Sequence, residues 1–102
     1  EFREVATSVY GQDFGFSNDP TTLVQTSIDK ANKIIYVKEC IHQTHLTTSQ
    51  IAHLNQRFAG DSLIVADSAK TPIDKFNHLI DALRYAVSYQ LQNPNQGQYH
   101  IY

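Results

Sequence analysis

The chain has 102 residues, of which 41% are hydrophobic and 18% are charged, and this balance is typical of one compact globular domain. It excludes a disordered polypeptide, which would be poorer in apolar residues and richer in charge. No apolar run approaches the roughly 18 residues that a membrane-spanning helix needs. The net charge of −2 gives no general attraction to nucleic acid, so any contact with DNA must rely on local surface features.

The first half of the chain predicts β-structure. Residues rich in β-branched and aromatic side chains predict three strands, over residues 7–16, 21–29 and 33–41. Pro20 breaks the chain between the first two strands, and residues 29–32 predict a hairpin turn between the last two. The result is a three-stranded antiparallel meander. Its third strand carries the single cysteine, Cys40, for which we predict a buried and unreactive thiol.

The second half alternates between helix and strand. Thr47 and Gln50 have capping-box spacing, and Gly60 is a typical residue at the end of a helix. A helix is therefore predicted from Thr47 to Gly60. A short apolar strand covered on both faces is predicted over residues 61–69. A second helix is predicted from Pro72, with a buried stripe formed by Phe76, Leu79, Ile80, Leu83 and Val87. Asn93 and Pro94 end that helix, and residues 94–102 are predicted to be a polar tail.

This order predicts a mixed α/β sheet flanked by helices, with the strand after the helix parallel to the first strand. Asp13 and Asp67 then lie side by side at the carboxyl ends of parallel neighbours, where α/β folds bind ligands. Judged singly, Asp13 is better explained as a charge at a sheet edge, and Asp67 as a cap in a turn.

The last predicted helix offers further polar groups. His78 and Asp81 are three residues apart and share one face of that helix. The same face carries Asp74 and Tyr85, and periodicity alone favours a solvated surface opposite the apolar stripe. The other histidines have no metal-ligand spacing and are treated as surface residues: His42, His45, His53 and His100.

Two carboxylates held close together repel, so one must be protonated or a cation must lie between them. Mg²⁺ and Mn²⁺ prefer oxygen ligands. Asp13, Asp67 and Asp81, with His78 beside them, are therefore predicted to hold one or two such ions, in a site suited to phosphodiester hydrolysis. The sequence contains no phosphate-binding G-x-x-x-x-G-K-[ST] loop, nucleophile elbow or H-E-x-x-H helix that would favour other chemistry.

Three stretches carry a family resemblance. They are "YGQDFGFSNDPTT" (10–22), "IVADSA" (64–69) and "NHLIDALRYAV" (77–87). In this order they resemble the three acidic motifs of the nuclease domain of the large terminase subunit of tailed bacteriophages. Each motif is weak alone, and the three together over residues 9–89 are specific.

The resemblance implies a ribonuclease H-like fold and a metal-dependent endonuclease that cleaves concatemeric viral DNA during genome packaging, in the cytoplasm of a bacterial host. It implies that Asp13, Asp67 and Asp81 are ligands of Mg²⁺ or Mn²⁺ and that His78 is a ligand or a proton shuttle. Gly15, which has no Cβ, would let backbone and substrate approach closely. The implied partners are double-stranded DNA, an ATPase motor domain of the full-length protein, the portal and the small terminase subunit, with no membrane. The isolated domain is expected to be monomeric.

The chain departs from the family pattern between its second and third motifs. The family has a further strand and helix there, whereas Lys70 here runs directly into Thr71. We interpret residues 1–102 as a single nuclease domain, cut from a longer polypeptide and lacking a family segment between residues 70 and 71. Two alternatives stay open: another ribonuclease H-like nuclease, such as a junction resolvase or transposase core, and an inactive remnant that serves as a docking module.

Overall fold

A computed structural model of the chain describes residues 2–15, 18–66, 78–91 and 100–101. The elements are β1 (Val9–Asp13), β2 (Thr21–Asp29), β3 (Ile34–Gln43), α1 (Thr48–Ala59), β4 (Ile64–Ala66), α2 (His78–Gln90) and β5 (His100–Ile101). The strands form one sheet in the order β4-β1-β2-β3-β5. The predicted mixed α/β sheet, with β4 parallel to β1, is confirmed. Among the described residues, no helix is long and apolar enough to cross a membrane.

The three long strands form the predicted antiparallel meander. The turn between β2 and β3 is fastened by Asp29, whose carboxylate accepts hydrogen bonds from the backbone nitrogen of Asn32 at 3.1 Å and from its Nδ2 at 2.8 Å. These bonds hold the pKa of Asp29 below its ordinary value. Lys33 completes the turn with a positive φ of 59°. Local side-chain chemistry therefore fixes this hairpin, as the sequence predicted.

Part of the predicted polar tail is a strand. His100 and Ile101 pair in parallel with Ile34 and Ile35 at the outer edge of the sheet. An open strand edge presents backbone donors and acceptors, and a short segment can satisfy them whatever its side chains. The rest of the tail, residues 92–99 and 102, lies outside the described residues.

Helix α1 covers one face of the sheet. A core forms there from Tyr10, Leu23, Ile41 and Ala59. The Tyr10 hydroxyl donates a hydrogen bond of 2.9 Å to the carbonyl of Phe58. The capping box predicted at Thr47 is present, with reciprocal bonds to Gln50 of 3.1 and 2.8 Å, and the helix ends at Gly60 as predicted.

Helix α2 covers the other face, but its predicted buried stripe is wrong in part. Ile80 is 55% exposed, Leu83 and Val87 are half-buried, and the fully buried residues are Ala82 and Ala86. The reason is a close approach to β1, because a Cβ built on Gly11 would overlap the carbonyl oxygen of Ala82. Only small side chains fit between a helix and a strand that lie so close together. Phe76 and the predicted first turn lie outside the described residues.

Strand β4 begins later than predicted and is less buried. It covers Ile64–Ala66, with Ile64 and Val65 half-buried and Ala66 exposed. The prediction assumed a strand covered on both faces, whereas β4 lies at the end of the described strand order, beside β1 alone. An apolar run does not by itself distinguish a central strand from an edge strand.

Cys40 is half-buried at a bulge in β3, and its thiol packs against the core under α1. Burial raises the pKa of the Cys40 thiol above its ordinary value of 9.0, so the reactive thiolate is scarce near neutral pH. Burial also raises the pKa of the Tyr10 phenol. Because the folded state holds both protons more tightly, these groups leave stability unchanged at neutral pH and lower it as the pH rises above 9.0 for Cys40 and above 10.0 for Tyr10.

We therefore predict that Cys40 reacts several-fold more slowly with dithiobis(nitrobenzoate) at pH 8 in the native protein than in guanidinium chloride. The reason is the smaller thiolate fraction together with restricted access. The absorbance of the released thiolate measures both rates. Equal rates in the two conditions would show that the thiol is not protected by the fold.

Candidate active site

Asp13 is the last residue of β1 and is fully buried. β1 lies between β2 and β4, so the interpretation of Asp13 as a charge at a sheet edge is wrong. Burying a carboxylate is costly, and such residues are retained where a charge has a specific partner or task. Asp13 is thus a buried carboxylate on a central strand, which makes it a candidate site residue.

The side chain of Asp13 lies on the face of β1 that is covered by α2. Successive residues of a strand point to opposite faces, so Asp13 shares its face with Gly11, two residues earlier. Gly11 packs against Ala82 and Ala86 of α2. Gln12 points the other way and pairs with Asn55 of α1.

The direction of α2 brings its first turn towards Asp13. Near the end of α2, Gln90 Nε2 donates a 2.8 Å hydrogen bond to Thr26, which is the cross-strand partner of Val9 at the start of β1. Four and eight residues earlier in the helix, Ala86 and Ala82 contact Gly11. Helix α2 therefore runs antiparallel to β1, and its first turn lies towards the carboxyl end of that strand.

Asp81 stands in this first turn of α2 and is only 8% exposed. The solvated-face interpretation of this part of the helix is therefore wrong for Asp81, and Tyr85 is half-buried rather than exposed. The polar face was assigned to solvent because the larger side chains of the predicted stripe were assumed to face the sheet. Instead, the face of α2 that carries Ala82 and Ala86 packs against Gly11, and Asp81, next to Ala82, is buried with it.

A charged side chain accompanies Asp81. Arg84, one turn later in α2, donates from Nη2 to Oδ1 of Asp81. The Arg84 side chain is 67% exposed, whereas the Asp81 side chain is 12% exposed. Asp81 is therefore a buried carboxylate with a cation reaching to it from the solvent side.

The end of β1 is held on both sides by neutral hydrogen bonds. Gln12 and Asn55 exchange two amide bonds of 2.8 Å, which tie the strand to α1. Thr22 donates to the carbonyl of Asp13 at 3.5 Å, and the backbone nitrogen of Gly15 donates to Thr21 Oγ1 at 2.9 Å. These contacts fix the backbone on each side of Asp13, so its carboxylate is held by a rigid support.

At Gly15 the structure shows the close approach of backbone that the family resemblance implies. A Cβ at this position would overlap the backbone of Asp19 and Pro20. The space beside Gly15 is thus filled by the protein's own turn. Its lack of a side chain allows that turn to close.

Two of the four predicted site residues cannot be placed. Asp67 lies outside the described residues, and of His78 the structure describes only the backbone, as the first residue of α2. Ala66, immediately before Asp67, pairs in parallel register with Gln12, immediately before Asp13. Within the described residues, no group of three His, Cys, Asp or Glu side chains is arranged to hold a metal ion. The predicted segment boundary at residues 70 and 71 also lies outside them.

Three other histidines have described side chains. His42, His45 and His53 are exposed, as predicted, and His45 Nε2 lies 3.1 Å from the side-chain oxygen of Asn18. His53 lines a groove of about 400 Å³ between the end of β3 and α1, together with Leu46 and Leu54. This groove belongs to the face of the sheet opposite Asp13.

Sequence patterns missed several residues that shape the site. The Gln12–Asn55 pair, Thr21 and Arg84 were given no role in it. Thr21 left one detectable signal, because it directly follows the Asn-Asp-Pro turn after Asp13. The Gln12–Asn55 pair left none, since its partners are 43 residues apart.

The fold and this site define a class: a mixed sheet with a buried aspartate on a central strand and a second buried aspartate on the helix that covers it. This architecture is consistent with a ribonuclease H-like fold. Among solved structures, the chain is similar to the Mn-bound crystal structure of the nuclease domain of the large terminase (g2p) of bacteriophage SPP1. The match has a TM-score of 0.50 at 17% identity and covers 99% of this chain and 56% of that one. At this identity the likeness shows the fold alone. No family model matches the chain, and no curated protein does.

Proposed function

We propose that this chain is a metal-dependent DNA endonuclease of the phage terminase type. The observation that carries the proposal is the placement of Asp13 and Asp81. Both carboxylates are buried, and they lie on a strand and a helix whose close contact brings the first turn of α2 towards the end of β1. The likeness to a terminase nuclease fold supports the same interpretation.

The donor set suits a hard divalent cation. Asp13 and Asp81 supply carboxylate oxygens, which Mg²⁺ and Mn²⁺ prefer over nitrogen or sulfur. Buried acids on neighbouring elements need positive charge nearby, and Arg84 already supplies one such charge to Asp81. The residues present therefore fit the implied ion.

We assign the remaining roles by the parallel register. If β4 continued by one residue in the register of Ala66 with Gln12, Asp67 would lie opposite Asp13. Asp13, Asp67 and Asp81 would then hold one or two Mg²⁺ or Mn²⁺ ions, with His78 as a fourth ligand or as the group that moves a proton near neutral pH. Bound ions would supply an activated water and would offset charge on the leaving oxygen of a phosphodiester.

The protein's own contribution to the reaction is rigidity. The Gln12–Asn55 amide pair and the bond from Gly15 to Thr21 hold the backbone on either side of Asp13. A ligand on a fixed backbone loses little entropy when the reacting groups assemble, and this lowers the barrier.

His78, at the start of α2, is proposed to accept or deliver the proton.

The proposed substrate is double-stranded DNA, cut from a concatemer during genome packaging in the bacterial host. The chain spans only about half of the neighbour's chain, so this role is proposed for a larger assembly with an ATPase motor domain, the portal and the small terminase subunit. The described surface carries few positively charged side chains. We therefore propose that these partners, rather than this domain alone, direct where the DNA is cut.

The proposed function predicts that the purified chain nicks supercoiled plasmid in Mn²⁺ or Mg²⁺ and that excess chelator abolishes nicking. Gel electrophoresis measures the conversion of supercoiled to open-circular DNA. Crystals soaked in Mn²⁺ should show anomalous density at Asp13. Nicking that continues in chelator would contradict the proposal, and activity confined to branched DNA or transposon ends would assign the chain to a different ribonuclease H-like nuclease.

A further inference from the structure

Arg84 forms an ion pair with Asp81, which is one of the proposed metal ligands. Its guanidinium donates to Oδ1 of Asp81 and so pairs with the carboxylate that a divalent ion would need as a ligand. The two residues are one turn apart on α2, so the contact requires no other element to hold it. A cation and a metal ion cannot both neutralise the same oxygen at close range, because their charges repel.

We propose that Arg84 is a displaceable counter-ion of Asp81 that leaves when a divalent metal binds and then contacts a phosphate of the DNA backbone. This inference rests on the proposed function, since the metal ion belongs to that function. It adds a residue that links metal binding to substrate binding.

The exposure of the two side chains supports displacement. The Asp81 side chain is 12% exposed and stays in place, whereas the Arg84 side chain is 67% exposed and can move into solvent. An ion pair with one partner this exposed contributes little net free energy, so a metal ion can replace it at small cost. Arginine keeps its charge at every accessible pH, so loss of a proton cannot relieve the repulsion and the side chain must move.

The released guanidinium has a defined ligand chemistry. Its planar fork of donors matches the oxygens of a phosphate, to which it can form two parallel hydrogen bonds. Because Arg84 lies on the same helix as Asp81, the freed group remains beside the metal site. Metal binding and phosphate binding would then strengthen each other, and this coupling must be reciprocal.

The first test is the affinity for Mn²⁺ alone, measured by titration calorimetry in the absence of DNA. Arg84→Gln removes the competing cation and should bind Mn²⁺ about two- to fivefold more tightly than the wild type. Arg57→Gln is the matched control, because it removes the same charge from the exposed end of α1 on the other face of the sheet. Its Mn²⁺ affinity should equal that of the wild type.

The second test is the affinity for a short DNA duplex, measured by fluorescence anisotropy in Ca²⁺ and in chelator. Arg84→Gln should weaken binding about three- to tenfold in Ca²⁺ and leave it unchanged in chelator, because Arg84 is released only when the ion is bound. Thermal unfolding in chelator checks that the variant is folded.

The outcomes separate this inference from the proposed function. If the wild type binds Mn²⁺ and nicks DNA, but Arg84→Gln binds Mn²⁺ equally or more weakly, Arg84 is a fixed support of Asp81 and the inference is overturned alone. An equal loss of DNA binding in Ca²⁺ and in chelator also overturns it. A wild type that binds no divalent ion overturns the inference and the proposed function together.

Discussion

Replacement of Asp13 by asparagine is expected to abolish metal-dependent cleavage of plasmid DNA. The amide has the same shape but lacks the negative charge that a divalent ion requires, and Asp13 is the fully buried acid at the end of β1. A bound ion contributes several kcal/mol to transition-state stabilisation, so its loss should lower the nicking rate at least about 10²- to 10³-fold. Initial rates of plasmid nicking in Mn²⁺ measure the effect.

Asp19→Asn is the matched control for that experiment. It is the same substitution, six residues later, at a half-buried position in the turn that follows β1. Asp19 lies in the turn beside Pro20 and outside the proposed site, so this variant should cleave at nearly the wild-type rate. An Asp13→Asn protein that is folded and still cleaves DNA in Mn²⁺ would contradict the proposal that Asp13 is a metal ligand.

The parts of the fold that were predictable from sequence are those fixed by neighbouring residues. The capping box of Thr47 and Gln50, and the turn fastened by Asp29 and Asn32, each depend on side chains three residues apart. The parallel pairing of β4 with β1 was also predictable, because the helical crossover α1 makes β4 parallel to β3, and the two antiparallel pairings of the meander make β3 parallel to β1. The cap and the turn can be predicted without knowing which residues that are distant in sequence pack against them.

The buried face of α2 was not predictable, because it depends on a contact with a residue about 70 positions earlier. Periodicity placed Ile80 inside and the face of Asp81 outside, and the structure has the reverse. A hydrophobic stripe is a good guide where side chains of ordinary size fill the interface. Where a glycine lets the helix backbone approach, alanines form the interface and the larger side chains turn away.

The same contact changes how Asp13 is understood. In the sequence, Asp13 judged alone favoured a charge at a sheet edge over a metal ligand. Its neighbours on both sides, β2 and β4, exclude the edge, while Gly11 and Ala82 bring the helix of Asp81 to the same face. The contact between Gly11 and α2 thus positions both described carboxylates of the proposed site.

Replacement of Gly11 by alanine is therefore expected to have the largest effect on stability of any substitution considered. The new Cβ would lie 2.8 Å from the carbonyl carbon of Ala82, closer still to its oxygen, and 3.0 Å from the Ala86 Cβ. Two of these obstacles are backbone atoms of a helix, which cannot turn aside as a flexible side chain can. Overpacking of this kind costs about 3 kcal/mol, which lowers the melting temperature of a domain of this size by at least about 10 °C.

Gly60→Ala gives the comparison, because a Cβ at Gly60 meets no atom within 4 Å and the cost comes only from its positive φ of 57°. Its backbone, with φ 57° and ψ −121°, lies outside the left-handed helical region and disfavours alanine by about 2 kcal/mol. Thermal unfolding followed by circular dichroism should therefore rank the wild type above Gly60→Ala and Gly60→Ala above Gly11→Ala. If Gly11→Ala is the more stable variant, α2 does not pack on β1 as described. The contact that brings Asp81 towards Asp13 would then be absent. A loss of stability together with a loss of Mn²⁺ binding would connect the packing of this one glycine to the assembly of the site.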